Sequence, residues 1–393
     1  MEKYRQFADQ TKGVNPFVPV WANRRIPWWH KVTKFLLIFP LVLPVRIVGF
    51  VLGFLALVLA WVLLGAVHIL SGYLHDLLAC LLLPPVCRLC LFSLGFHWID
   101  YGRTTDPRRL RLRTAASSGD KTGRKGNTNV EDQAQHGRLL VCNAQGPCDV
   151  LYFGLFGYNS FCFTHSSTAR VELSRGIIPA FLRAAEIYGE RLPEDAYLSA
   201  ATDLSRPTVL FAEGARTNGT CVLPLTGISA LLNGNVSSGG ALASRRASAG
   251  SRSTTISRGP KITLNAEAGK VSVATVIYPS KSTELFTPSL TTTTSIISYL
   301  LQLQYQWRHT VASHWLPAEL VALNIASSSM GGSGSGDGTE EVEGKNEEAP
   351  VAEKLRFWLA TMPSPVLHEV ANNATDLIEF HRYWTDTQKK KYT

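Results

Sequence analysis

Two polar motifs carry residue types suited to catalysis, and each follows an apolar run. The first is residues 142–149 (CNAQGPCD), which places Asn143 and Asp149 after a run typical of a buried strand. Asp149 should fall in the first turn of the next helix, where a carboxylate complements the helix dipole. The motif therefore predicts either a reactive carboxylate or an ordinary acidic residue at a helix N-terminus.

The second motif is residues 211–219 (FAEGARTNG), a glycine-containing loop after another apolar run. Its polar residues are Glu213, Gly214, Arg216 and Thr217. Arginine presents a planar fork that suits a phosphate group, and Gly214 lets a backbone N–H come close to a ligand. We interpret the loop as a phosphate site, with a surface turn and an ion pair as the alternative.

Strand patterns alternate with helical patterns around these motifs. Strands are predicted over residues 138–143, 208–212 and 271–278, and more weakly over 161–164. Helices are predicted over residues 171–188, with Pro179 as a kink or start, and over 295–315. The pattern indicates an α/β domain with a mainly parallel central sheet flanked by helices. Functional groups should then lie at the carboxyl ends of the strands.

The two motifs, in this order and separation, resemble those of the phospholipid and glycerol acyltransferases, N-H-x-x-x-x-D and F-P-E-G-T-R-S. The matching residues are Asn143, Asp149, Phe211, Glu213, Gly214, Arg216 and Thr217. The opening MEKY and the nearby GVNPFVP are similar more narrowly to the fungal lysophosphatidic acid acyltransferases. The resemblance implies acyl transfer from acyl-CoA, as co-substrate, to lysophosphatidic acid or a related lysophospholipid. The product would be phosphatidic acid, and no metal or other cofactor is implied.

The resemblance also implies a role for each residue. Arg216 and the Gly214 backbone would hold the acceptor phosphate, and Glu213 would fix the arginine or the loop. Asn143 would brace the first turn. In the family's other blocks, Arg183 or Arg191 lies where an arginine helps to hold the glycerol phosphate, and Pro279 lies where a proline follows a strand.

The chain departs from the family at one position, because Ala144 stands where the family has a histidine. That histidine is the general base and the aspartate orients it. Asp149 itself or His165 could supply the base here. The alternative is a catalytically inactive acyltransferase-like protein that binds lipid or acts as a scaffold.

The apolar content is concentrated near the N-terminus. Only 18% of the chain is charged, against about 25% in soluble proteins. Residues 47–70 contain no formal charge, and a run of that length can cross a hydrocarbon core of about 30 Å. Residues 77–94 are also apolar but contain Pro84, Pro85 and Arg88, which favours an interfacial or re-entrant helix. Residues 35–100 are thus predicted to form a membrane span or hairpin followed by an interfacial helix.

The net charge of +9 belongs to the flanks of this region, which favours a bilayer over nucleic acid as the partner. Residues 1–34, a basic and cytosolic N-terminus in this interpretation, carry seven basic and two acidic residues. Pro40 and Pro44 permit a hairpin, with a single span as the alternative. Lys390 and Lys391 match an endoplasmic reticulum retrieval signal read by coat proteins. We therefore expect an endoplasmic reticulum membrane protein, with lipid droplets as a second location and a cytosolic catalytic domain.

Residues 101–393 form the predicted acyltransferase-like domain. Polar, low-complexity composition predicts disordered inserts at 114–136, 233–260 and 324–352. Seven cysteines are an odd number for a disulfide framework and fit a reducing compartment. Three of them, Cys80, Cys87 and Cys90, are candidates for either core packing or palmitoylation.

Overall fold

The structure is a computed structural model. It describes residues 2–18, 28–100, 110, 139–165, 170–186, 207–225, 271–279, 289–290, 296–306, 308–321, 348–363, 366–372 and 374–392. The predicted inserts at 114–136 and 233–260 lie outside these residues, as does 324–347 of the third. The prediction of disorder was wrong for residues 348–352 of the third insert, because these residues form the start of a helix.

The helices are a 3₁₀ segment Glu2–Phe7, α1 Trp28–Thr33, a π-helical segment Lys34–Val42, α2 Leu43–Leu70, α3 Gly72–Ser93, α4 Pro147–Gly154, α5 Ile177–Ala185, α6 Ile296–Tyr305, α7 Glu348–Thr361 and α8 Ala374–Tyr392. The strands are β1 Phe96–Asp100, β2 Leu139–Cys142, β3 Ser160–His165, β4 Arg170–Arg175, β5 Thr208–Phe211, β6 Cys221–Val222, β7 Val271–Ile277, β8 His309–Leu316 and β9 His368–Glu369.

Seven of these strands form one sheet in the order β1-β8-β7-β2-β5-β3-β4. The four central strands β7, β2, β5 and β3 run parallel, while β8 and β4 pair antiparallel with their inner neighbours. Strands β2, β5 and β7 are buried along their whole length, as expected where both faces of a parallel sheet are covered. The prediction of an α/β domain with a mainly parallel central sheet is confirmed. Strands β6 and β9 form a separate parallel pair.

Helices cover both faces of the large sheet. Residues of α2 to α6 pack on one face, including Phe153, Phe181 and Tyr299. On the other face, α7 contributes Leu355, Trp358 and Leu359. The carboxyl ends of β2 and β5 therefore open at the rim of a three-layer domain, which is where parallel sheets place ligands.

Two of the predicted helices were partly wrong. Within residues 171–188 the chain first forms the edge strand β4, and Gly176, with φ +102°, separates it from α5. Within residues 295–315 only α6 is helical, and β8 follows it. Buried residues alternate along β8 at His309, Val311, Ser313 and Trp315. This period of two is typical of a strand, but the high apolar content of residues 295–315 made it hard to recognise in the sequence.

Helices α2 and α3 form an antiparallel pair that turns at Ser71. Gly49 lies against Ser93 and Gly53 against Cys90 near the open end, while the rings of His68 and His75 are 5.3 Å apart near the turn. By length and composition, Phe39–Leu70 and Gly72–Ser93 are each apolar enough to span a membrane, with mean hydropathies of 2.9 and 1.7. The apolar region is therefore a helical hairpin in which Pro84 and Pro85 lie within one helix.

Arginines hold the open end of the hairpin on the domain. Buried Arg46 donates to the Gln304 and Gln306 carbonyls at 2.9 and 2.5 Å. Arg88 donates to the Phe96 and His97 carbonyls at 3.3 and 2.9 Å. These two charges face the domain, so they do not interrupt the outer apolar surface of the pair.

Residues 2–18 pack on the C-terminal helix. Phe7 and Phe17 are buried beside Phe380, and Tyr4 stacks on Trp384 at 5.0 Å. The Asp9 carboxylate accepts from the Ala371 N–H at 2.8 Å. The basic N-terminal segment predicted to lie at the membrane is thus, over these residues, part of the domain.

We expect Gly176→Ala to destabilise the contact between hairpin and sheet. A Cβ atom at residue 176 would lie 2.5 Å from Trp61 Cδ1, and the φ of +102° strains any residue with a side chain. The loss should be about 1–3 kcal/mol, seen as a lower midpoint of thermal unfolding in detergent. Gly65→Ala is the matched control, since no atom lies within 4 Å and the helix should gain up to about 1 kcal/mol. Equal midpoints for the two variants would contradict the tight contact.

Candidate active site

Asp149 lies in the first turn of α4, directly after the carboxyl end of β2, and its side chain is fully buried. Its Oδ2 accepts from the Gln145 N–H at 2.7 Å and from the Gly146 N–H at 3.0 Å. Its Oδ1 accepts from the Tyr278 hydroxyl at 2.5 Å. An ionised carboxylate offers about four lone-pair positions. Three of them accept hydrogen bonds here, so the orientation of the Asp149 carboxylate is fixed.

Burial dominates the ionisation of this carboxyl. It raises the pKa of Asp149 to about 6, against the opposing effect of the hydrogen bonds from Tyr278, Gln145 and Gly146. Burial also raises the pKa of the Tyr278 hydroxyl well above its ordinary value, so Tyr278 remains a donor. At neutral pH Asp149 is ionised yet far closer to proton uptake than an exposed aspartate.

The turn between β2 and α4 is tied to the neighbouring strand β7. Asn143 Nδ2 donates to the Val276 carbonyl at 2.9 Å, and Asn143 Oδ1 accepts from the Val276 N–H at 2.8 Å. Gln145 Nε2 donates to the same carbonyl at 2.6 Å. These side chains continue the ladder beyond the end of β2 and hold Asp149 and Tyr278 in register.

The loop after β5 lies beside this turn. Gly214 has φ +65°, a conformation that favours glycine. The Thr217 N–H donates to the Ala144 carbonyl at 3.1 Å, and the Thr217 hydroxyl donates to the Cys221 carbonyl at 3.2 Å. The two motifs therefore meet at neighbouring strand ends, through a direct backbone bond at Ala144.

Glu213 points into the loop and is buried. Its Oε2 accepts from the Leu223 N–H at 3.4 Å. Burial raises the pKa of Glu213 well above its usual range, although hydrogen bonds with the backbone of Leu223 and Ala144 and the charge of Arg356 oppose the shift. These contacts place Glu213 as a brace for the loop.

Arg216 is buried at 2% exposure and reaches the C-terminal end of α5. One guanidinium nitrogen donates to the Ala184 and Ala185 carbonyls at 2.9 and 3.0 Å. These carbonyls end α5, where the helix dipole favours a cation. The Arg216 guanidinium is thus held on one side by the C-terminus of α5, and this contact fixes the direction of the side chain.

Asp149 and Arg216 line the same closed cleft at the rim of the sheet, which is too narrow in this structure to hold a water molecule. Its other lining residues are Ala144, Gly146, Phe163, Ala184 and Phe211. The pocket brings together an acid from the end of β2 and a cation from the loop after β5. The small Ala144 side chain forms part of its wall, at the position where the acyltransferase motif has the imidazole ring of a histidine.

The remaining predicted residues have other surroundings. Arg183 is held by Glu172 at 2.7 Å and Glu186 at 2.6 Å. His165 ends β3, and its side chain lies outside the part of the chain that the structure describes, as does all of Arg191. Pro279 directly follows the end of β7 and Tyr278.

Sequence reasoning missed two residues of this neighbourhood. Tyr278 could have been found, because it is the last residue of the predicted strand 271–278, at the edge where functional groups gather. His381 in α8 gave no such signal. Burial and the charge of Arg216 both lower the pKa of His381.

We expect Tyr278→Phe to move the pH dependence of any activity that needs ionised Asp149. The Tyr278 hydrogen bond favours the ionised carboxylate and lowers the pKa of Asp149, so its loss should raise that pKa above about 6. The acidic limb of the rate profile should shift upward by about one pH unit, the size of one charge-assisted hydrogen bond. The measurement is the rate from pH 5 to 9, and an unmoved limb would exclude Tyr278 from this role.

The site offers a buried acid able to exchange a proton near neutral pH and a fixed cation suited to an anionic group. Among the described residues, no group of three or more His, Cys, Asp or Glu side chains is placed to hold a metal ion. Comparison with protein-family models, with curated proteins and with solved structures gave no match to the chain.

Proposed function

We propose that the protein transfers an acyl group from acyl-CoA to the hydroxyl of lysophosphatidic acid or a closely related lysophospholipid. The observation that carries the proposal is that Asp149 and Arg216 line one cleft, which must widen to admit an acceptor molecule. A buried carboxylate with a pKa of about 6 suits proton uptake from a hydroxyl. An arginine beside it suits the phosphate of the same acceptor molecule.

In this reaction, Arg216 binds the acceptor phosphate and so directs the acceptor hydroxyl toward Asp149. The hydroxyl oxygen attacks the thioester carbonyl as Asp149 takes its proton. The carbon–sulfur bond then breaks, the ester forms, and the coenzyme A thiolate leaves and takes up the proton. Asp149 plays the part that a histidine at residue 144 would otherwise play, and Tyr278 holds it in position.

The arrangement of the chain ends supports a hairpin that enters the bilayer from one side. Residues 2–18 contact α8, whereas a single crossing by α2 would place these two segments on opposite sides. The domain covers α2 from Arg46 to Trp61, about 22 Å at 1.5 Å per residue. The outer face of α2 stays apolar and exposed, with Val48, Leu55 and Leu59 at 58–60% exposure. Lysophospholipid would then reach the domain laterally from the bilayer.

A catalytically inactive lipid-binding or scaffold protein is the second candidate. One observation favours it: Ala144 contributes no base. Such a protein would bind lysophosphatidic acid at Arg216 without turning it over.

One assay separates the two candidates. The full-length protein in liposomes is given labelled oleoyl-CoA and a panel of lysophospholipids that differ in headgroup, beside the Asp149→Ala variant. Formation of labelled phosphatidic acid by the wild type alone is the expected result. Equal background product from the wild type and the variant would exclude the enzyme.

The proposed location is the endoplasmic reticulum membrane, and lipid droplets where a monolayer accepts the hairpin, with the catalytic domain in the cytosol. We expect a tag fused after Thr393 to be digested by protease added to intact microsomes. Such a tag would mask the retrieval signal at Lys390 and Lys391, so an internal tag within 324–347 serves as the control. A protected tag in both proteins would contradict the cytosolic hairpin.

A further inference from the structure

A second cavity, of about 320 Å³, lies between the turn end of the hairpin and the edge of the sheet. Its walls come from the end of α2, the start of α3 and the chain around β3 and β4. Ser160 lines it at the amino end of β3, whereas Asp149 follows the carboxyl end of the parallel strand β2. The cavity is therefore at the opposite edge of the sheet from the candidate active site.

The lining of this cavity is divided between apolar and polar groups. Trp61, Leu64, Ala79 and Leu173 supply apolar wall. The polar members are His68, His75, Asp76, Asn159 and Arg175. A volume of this size lies at the lower end of small-molecule sites, which are mainly apolar with a few placed polar groups.

The polar groups hold one another in place. The buried ring of His75 bonds through Nδ1 to Asp76 at 2.8 Å and through Nε2 to Asn159 at 3.3 Å. His68 lies 5.3 Å from His75, ring to ring. Arg175 is exposed at the rim. The rim thus carries a permanent positive charge next to a fixed histidine, with Asp76 as the acidic group on the same side.

The cavity opens beside the most exposed apolar residues of the hairpin. Ile69, Leu70 and Tyr73 at the turn are 81–86% exposed. An exposed apolar surface of this kind marks a membrane or protein contact, and the hairpin proposed above makes the bilayer its partner. A ligand dissolved in the bilayer would therefore meet the cavity without crossing water.

We propose that this cavity binds a single-chain amphiphile with an anionic head, with the acyl chain against Trp61 and Leu64 and the head at Arg175. A long-chain fatty acid and a lysophosphatidic acid share this chemistry. The site is separate from the cleft at which acyl transfer is proposed.

Cys80 provides a direct readout. All seven cysteines are among the described residues, and Cys80 is exposed whereas the other six are buried. Cys80 also lines the cavity. The full-length protein in nonionic detergent is treated with a water-soluble maleimide, and the alkylation rate of Cys80 is followed by mass spectrometry. Oleate or oleoyl-lysophosphatidic acid at ten times its dissociation constant should slow the reaction about tenfold. The relative potency of these two lipids identifies the head that the site prefers.

Two variants and one neutral lipid test the proposal. Gly65→Leu fills the cavity from a helix position whose Cβ meets nothing within 4 Å, so it should fold and lose the protection. Arg175→Gln should weaken both anionic lipids about tenfold, whereas Arg170→Gln, at the far end of β4, should not. Methyl oleate should protect weakly. The proposal would be overturned if the anionic lipids still protected Cys80 in Gly65→Leu, or if methyl oleate protected it as well as they do. It would also be overturned if neither anionic lipid protected Cys80 in the wild type. Because alkylation does not depend on turnover, these outcomes are independent of the proposed enzyme activity.

Discussion

We expect Asp149→Asn to lower kcat for the proposed acyl transfer by about 10²–10⁴-fold, the contribution of a positioned general base. Asparagine has nearly the same shape and still accepts hydrogen bonds, but its amide cannot take up a proton. In the wild type, the rate should rise with pH through about 6, where buried Asp149 ionises, and stay level above it. In the variant the residual rate should not follow this ionisation. The measurement is initial rate against pH with oleoyl-CoA and lysophosphatidic acid.

Two controls make this result specific. The thermal midpoint shows whether the Asp149 variant folds, because the side chain also accepts from the N–H groups of Gln145 and Gly146. Cys148→Ala alters the neighbouring buried residue, which contacts the Tyr299 hydroxyl at 3.3 Å, and it should keep the pH profile. An Asp149 variant that folds and retains the wild-type rate would leave His165 or His381 as the base to test next.

The central sheet was predictable because its strands are short, apolar and ended by turn residues. Burial on both faces makes β2, β5 and β7 continuous apolar runs, and such runs stand out in a sequence. The outer strands β4 and β8 were not found. β4 covers only part of residues 171–188 and β8 only part of 295–315, and in both cases the apolar pattern of a neighbouring helix hid a period of two.

Part of the candidate site could be predicted and part could not. Asn143, Asp149, Glu213 and Arg216 stand at the ends of two strands that adjacency in a parallel sheet brings together. The hydrogen-bond partner of each of these side chains could not be predicted. Glu213 braces Leu223 and Ala144, and Arg216 reaches α5. Such partners depend on how a helix crosses the sheet, which local sequence patterns do not encode.

The association of the N-terminus with the C-terminal helix had no sequence signal either. Asn218 Nδ2 donates to the Asn15 and Val18 carbonyls at 3.0 and 2.7 Å, and so joins the end of the Arg216 loop to the first residues of the chain. These contacts join residues that are 203 and 200 positions apart in the sequence, and they depend on one side chain. The same loop therefore depends on both ends of the protein for its position.

We expect Arg216→Gln to raise the KM for the proposed acceptor lysophosphatidic acid about 10²-fold, the loss expected for one charge-assisted contact of about 3 kcal/mol. Glutamine retains a hydrogen-bond donor toward the Ala184 and Ala185 carbonyls but carries no charge for the phosphate. The effect should depend on that phosphate: monoacylglycerol, an acceptor without it, should react equally poorly with the wild type and the variant. The measurement is KM and kcat for both acceptors in liposomes.

Arg356→Gln is the matched control for this change. Arg356 is half-buried and also donates to backbone carbonyls, those of Val222 and Val370, but it does not line the pocket with Asp149. It should lower the thermal midpoint and leave the KM for lysophosphatidic acid unchanged. If both variants raise this KM equally, Arg216 acts through loop stability alone. If only Arg216→Gln raises it, and only for the phosphorylated acceptor, the arginine recognises the phosphate.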